Sequence, residues 1–96
     1  MGRDLKFIVM TIAQYNERVA KHGIDMWHDE TLEDMWSNYD KYRNLNFEYN
    51  GILTRDELKE KAHDAVDDDD FRTLEACAYI LFYMPEDDYL CIFHNG

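Results

Sequence analysis

The sequence predicts a mainly α-helical domain, a compact bundle of about four helices in which residues 1–96 form one unit. Three observations predict it. Apolar residues recur at steps of three and four along much of the chain, the spacing that lines one face of a helix. Capping and stop signals bracket these runs at Thr54–Glu57, Gly23 and Pro85. No internal repeat, low-complexity linker or proline-rich boundary divides the chain, and its length suits one domain of roughly 100 residues. An α+β alternative stands beside the bundle, in which a short terminal β pair closes it.

The first predicted helix covers residues 4–22, with Leu5, Ile8, Ile12, Tyr15, Val19 and His22 on one face. Gly23 stops it, and Lys21 and His22 in the last turn suit the negative end of the helix dipole. A competing reading splits the segment, because Phe7, Val9 and Met10 fill the other faces. "LKFIVM" then becomes a strand, Thr11 caps a shorter helix, and "YLCIF" near the C-terminus is the partner strand. "IDMWHDE" is a connection anchored by Ile24, Met26 and Trp27. Asp29 or Thr31 caps a second helix, "TLEDMWSNYDKYRNL", whose apolar face is Leu32, Met35, Trp36, Tyr39 and Tyr42.

"NFEYNG" reads as a turn on its Asn-Gly pair, with a small hairpin to "ILT" as the lesser option. The T-x-x-E pattern of Thr54 and Glu57 starts a third helix running to about Val66, with Leu58, Ala62, Ala65 and Val66 as its apolar positions. The fourth helix follows the aspartate run. Phe71, Leu74, Cys77, Ala78, Leu81 and Phe82 give it a wide apolar face, and Pro85 ends it. The tail "EDDYLCIFHNG" alternates loosely and reads as a short strand or an extended arm.

Composition narrows the function. Hydrophobic residues make up 46% and aromatics 15%, enough to bury a small core and too many for a disordered chain. Twenty-one acids against ten bases give a net charge of −11. Residues 1–50 hold nine acids and six bases, a balance of −3, and residues 51–96 hold twelve and four, a balance of −8. Such a surface repels DNA, RNA and anionic membranes, so none of these is expected as a direct partner. Cys77 and Cys91 make no disulfide framework and no zinc pattern, and Cys77 is expected as a buried free thiol. The apolar run near the N-terminus is too short for a signal peptide or a membrane span. A soluble, cytoplasmic protein is expected.

No cofactor or catalytic motif is present. A calcium loop needs oxygen ligands at alternate positions and a central glycine, whereas Asp67 to Asp70 are contiguous and lead into Phe71. The four histidines lack the paired spacing of a zinc helix. Ser37 falls inside a predicted helix, and Cys91 and His94 make a thiol–imidazole pair by proximity alone. Neither metal nor cofactor nor enzymatic activity is expected.

Binding is the remaining class. One or two aspartates at 67–70 suffice to cap the following helix, and four exceed that need. Asp56, Glu60, Asp64 and Asp67 fall three or four apart and form an acidic stripe on a regular helix. Carboxylates repeating about every 5.4–6 Å approximate the spacing of phosphates along a nucleic-acid strand, about 6–7 Å. The candidate contact residues are therefore Asp56, Glu60, Asp64 and Asp67, Asp68, Asp69 and Asp70. Glu86, Asp87 and Asp88 add outer steering charges, and Tyr83 and Tyr89 are candidate anchors. The partner expected is the basic surface of a nucleic-acid-binding protein.

In size, acidity and aromatic content the chain resembles the small inhibitors that phages and mobile elements use against host nucleic-acid enzymes, anti-CRISPR and anti-restriction proteins among them. That likeness is one of type over the whole chain, with no motif matched, and it implies an inhibitor that mimics nucleic acid. Two alternatives are an adaptor or oligomeric module binding through Trp27, Trp36 and Phe47, and a protein that sequesters a small ligand.

Overall fold

The computed structural model describes residues 4–23, 27, 30–42 and 45–95. Along them run β1 (Leu5–Thr11), α1 (Ile12–His22), a short 3-10 helix (Glu30–Met35), β2 (Ser37–Tyr39), β3 (Asn50–Thr54), α2 (Arg55–Asp67), α3 (Phe71–Leu81) and β4 (Tyr89–Asn95). This α+β arrangement overturns the mainly α bundle of about four helices. The described residues form three α-helices and one antiparallel four-stranded sheet, ordered β2-β1-β4-β3.

The first correction lies at residues 4–22, where the split reading holds and the single helix does not. Thr11 is the last residue of β1 and the N-cap of α1. Its hydroxyl accepts the Gln14 N–H at 3.1 Å, and the Gln14 side chain accepts the Thr11 N–H at 2.9 Å. β1 is a central strand buried on both faces, with Leu5 and Phe7 on one and Ile8 and Met10 on the other. A strand of that kind lacks the polar alternation that reveals period two, so its apolar run passes for a buried helix. Its partner is β4, as the alternative had it, in register from Leu5↔Asn95 to Thr11↔Tyr89.

The second correction concerns the helix expected from Thr31. Only the 3-10 helix forms there, and Ser37–Tyr39 leave it to pair with Leu5–Phe7. Ser37 and Asn38 are indifferent helix formers, and the open edge of β1 supplies backbone partners. The third correction is Asn50-Gly51, which opens β3 and faces His94 and Phe93 instead of making a turn. Gly51 sits there because Phe93 lies over it: an added Cβ would stand 2.8 Å from the ring tip.

The remaining elements match the sequence. Gly23 caps α1 at φ 85°, a left-handed conformation that favours glycine. Thr54 and Glu57 close a capping box on α2, with bonds of 3.0 and 3.2 Å. α3 ends at Leu81, ahead of Pro85. Ile24, Met26 and Asp29 lie outside the described residues. Trp27 is half-buried, and its indole N–H donates to the Phe93 carbonyl at 2.8 Å.

The sheet separates two apolar layers. On one side Leu5, Phe7, Cys91 and Phe93 meet Leu58 of α2 and Ala76, Cys77 and Ile80 of α3. On the other, Ile8, Met10, Leu90 and Ile92 meet Leu32, with Tyr15, Val19, Trp27 and Trp36 packed at the margin. Each large side chain buried this way contributes about 1.5–3 kcal/mol. Among the described residues no helix is long and apolar enough to cross a membrane.

Candidate functional site

The four consecutive aspartates hold different posts. Asp67 is the last residue of α2 and Asp68 is its C-cap. The Asp68 N–H donates to the Asp64 carbonyl at 3.0 Å, and Asp69, at φ 55°, turns the chain with its N–H on the Val66 carbonyl at 3.1 Å. Asp70 alone caps α3. Its carboxylate accepts the Thr73 N–H at 3.2 Å and the Thr73 hydroxyl at 2.7 Å, while that hydroxyl accepts the Asn46 N–H at 3.0 Å. Thr73 is 1% exposed, so Asp70 anchors a buried junction between α3 and the loop before β3.

Asp67, Asp68 and Asp69 are exposed, and no lysine or arginine among the described residues forms an ion pair with them. Asp67 and Asp68 stand at the negative end of the α2 dipole, and the last turn of α2 carries no base to offset them.

The stripe forms as the spacing requires. Asp56, Glu60, Asp64 and Asp67 are all exposed on α2, and a rise of about 1.5 Å per residue spreads them over about 16 Å. Lys59, Lys61 and His63 interleave with them. Residues 55–70 hold eight acids and three bases, a balance of −5. Toward the C-terminal end, Asp64, Asp67 and Asp68 border a hollow of about 340 Å³ with Asn46 and Lys61. Among the described residues no group of three or more His, Cys, Asp or Glu is placed to hold a metal ion.

Glu86, Asp87 and Asp88 are exposed in the loop between α3 and β4, beside the first turn of α2. Arg55 makes the connection: its Nη1 donates to the Asp87 carboxylate at 3.0 Å and its Nε to the Met84 carbonyl at 2.7 Å. The Asp88 carbonyl accepts the Ile12 N–H at 2.7 Å. The two acidic groups thus sit at opposite ends of α2. Tyr83 goes elsewhere, with ring contacts to Phe7, Tyr79 and Phe82 at 5.9, 5.5 and 5.6 Å. Tyr89 heads β4, half-buried against the core.

Trp27 and Trp36 pack at the margin of the second apolar layer, and Phe47 is 6% exposed within the first. The exposed aromatics are others, among them Tyr49, Phe71 and Phe82, the last two expected on the apolar face of the fourth helix. Small residues hold the inner face of α3 instead: Thr73, Ala76 and Cys77 are buried with Ile80. The signal for this was an apolar sector wider than one face, whose small-residue part suits close approach to the sheet.

A second concavity of about 350 Å³ opens between α1 and the 3-10 helix, lined by Glu17, Arg18, Lys21 and His22 together with Met10, Leu32 and Met35. The catalytic arrangements weighed from sequence do not assemble. Ser37 lies exposed on the edge strand β2, not in a helix. Burial pushes the Cys91 thiol up to about 12, and residues 91 and 94 of one strand point to opposite faces of the sheet. No protein-family model matches the chain, and no curated protein and no solved structure matches it either.

Proposed function

We propose that this protein is a non-enzymatic inhibitor that occupies a basic, nucleic-acid-binding surface of another protein, in the manner of the small acidic inhibitors of phages and mobile elements. The contact is the α2 ridge of Asp56, Glu60, Asp64 and Asp67 continued by Asp68 and Asp69, with Glu86 to Asp88 steering the approach. The observation that carries this reading is the placement of Asp67 and Asp68. They oppose their own helix dipole and have no internal cation partner among the described residues, so an external cation is what they suit. Asp70 is excluded from the contact set, because its carboxylate is spent on Thr73.

The site acts in the cytoplasm, where both cysteines stay as thiols. Capture from host lysate at low and high salt tests the reading. The expected catch is a basic protein, held at 50 mM NaCl, released at 500 mM, and unable to bind its DNA or RNA while complexed. Capture that ignores salt, or that leaves nucleic-acid binding intact, refutes it.

A second reading has one observation in its favour: the concavity beside α1 gathers Arg18 and Lys21 against a single acid, Glu17, in an otherwise acidic protein. Sequestration of a small anion there predicts a melting shift with a nucleotide library, abolished by Lys21→Glu.

A further inference from the structure

α1 covers its side of the sheet less completely than α2 and α3 cover theirs. None of its residues is fully buried, whereas α2 buries Leu58 and Ala65 and α3 buries Thr73, Ala76, Cys77 and Ile80. Ile12 is 38% exposed, and Tyr15 and Val19 are half-buried at the margin of the second apolar layer. The concavity of about 350 Å³ is lined by residues of β1, α1 and the 3-10 helix. Its apolar part comes from Met10, Leu32 and Met35; Leu32 is fully buried, while Met35 is 51% exposed. A hollow of this volume, apolar with a few convergent polar groups, is the ordinary form of a small-molecule site.

The charges of the lining select the ligand. Arg18, Lys21 and His22 meet one acid there, Glu17, and one neutral amide, Gln14. Over the whole chain the balance is the reverse, with twenty-one acids against ten Lys and Arg. At about 100° per residue the three bases share an arc of about 100° on α1, and Glu17 lies beyond its edge farthest from Tyr15 and Val19. Glu30, Glu33 and Asp34 of the 3-10 helix are exposed and do not line the concavity. The helix dipole explains why Lys21 and His22, in the last turn, are basic. It does not explain Arg18, which precedes that turn and is half-buried. A small polar anion would leave the apolar part of the hollow wet, and a cationic amphiphile would face three bases.

We propose that the concavity beside α1 binds a small amphipathic anion, a carboxylate carried on an aliphatic chain. The carboxylate lies at Arg18 and Lys21, and the chain lies on Met10, Leu32 and Met35. The ligand covers apolar surface that α1 leaves open and so ties α1 to the sheet. This inference rests on the reading of the concavity as an anion site and names the class of anion. It is independent of the acidic ridge, because α2 packs on the opposite face of the sheet.

The test titrates the full chain with decanoate, octanoate, decanol, decyltrimethylammonium and ATP by calorimetry, each amphiphile below its micellar range, with thermal melts alongside. Decanoate should bind about tenfold tighter than octanoate, which is two methylenes shorter, and at least about tenfold tighter than decanol or decyltrimethylammonium. It should also raise the melting temperature and slow amide exchange along α1. Lys21→Glu should bring decanoate down to the level of decanol and leave decanol binding unchanged. Met35→Asp, at the apolar part, should weaken both. Lys21 and Met35 are exposed, so both variants should keep the fold. Decanoate binding no tighter than that of decanol, or unchanged in Lys21→Glu, overturns the proposal by leaving apolar partition alone. ATP binding without decanoate binding overturns the amphiphile and keeps the anion reading; binding of neither overturns both.

Discussion

Replacing Asp70 by alanine should separate this residue from the three acids before it. Two losses combine. The N-cap of α3 loses the acceptor for the Thr73 N–H, which typically costs about 1 kcal/mol. The Thr73 hydroxyl, on a side chain 1% exposed, loses a charged acceptor at 2.7 Å, which adds about 1–2 kcal/mol. The sum, about 2–3 kcal/mol, corresponds in a domain of this size to a melting temperature lower by roughly 10–20 °C. Asp67→Ala and Asp68→Ala should do the opposite or nothing, because each removes a negative charge from the wrong end of a helix dipole. Thermal melts of the three single variants, followed by circular dichroism at one pH and salt concentration, make the comparison. A loss for Asp70→Ala below about 0.5 kcal/mol, or an equal loss for Asp68→Ala, would refute the division of roles.

Gly51→Ala should lower stability by about 1–3 kcal/mol in urea titration, because its Cβ would enter the Phe93 ring, itself 3% exposed and held against Phe47. Tyr39→Phe should be neutral or slightly stabilising in the same assay, since the Tyr39 hydroxyl is buried with no hydrogen-bond partner. Stability should fall as the pH rises above 9. Burial raises the Cys77 and Cys91 thiols from 9.0 to about 11 and about 12, so the unfolded chain releases these protons first. Each thiol then removes about 1.4 kcal/mol per pH unit above 9 until its folded value is reached. Urea midpoints at pH 8 and pH 10.5 check this, and equal midpoints would contradict it.

What the sequence revealed follows from how local each signal is. Capping boxes are written within four residues: Thr54–Glu57 formed as read, and Thr11, the cap of the split reading, closes a second box with Gln14. The period of β1 was hidden because the strand is buried on both faces. Its identity depends on β4, which lies at the other end of the chain. Ser37–Tyr39 and Asn50–Thr54 are strands only because the central pair leaves two edges to fill. Gly51 carried a turn signal for a reason visible only in three dimensions, the overlying ring of Phe93.

The acidic site was legible as spacing, since α2 is regular where the carboxylates recur. Two things were not legible. One was the turn that sends Asp70 inward to Thr73 while Asp67 to Asp69 face water. The other was the rotation of α3 that leaves Phe71 and Phe82 outside. Which part of so wide an apolar sector meets the sheet is settled by packing, and small residues won the inner face.

The central claim is that the α2 ridge binds a basic surface in place of nucleic acid. The most direct measurement is capture of the partner from host lysate by the parent chain and by Glu60→Lys/Asp64→Lys/Asp67→Lys, across a salt series and with a competing DNA or RNA. The account predicts parent binding that weakens steeply with salt and is displaced by nucleic acid, and a variant at least about tenfold weaker with a shallower salt dependence. Equal capture by the two chains, insensitive to salt and to nucleic acid, would contradict it.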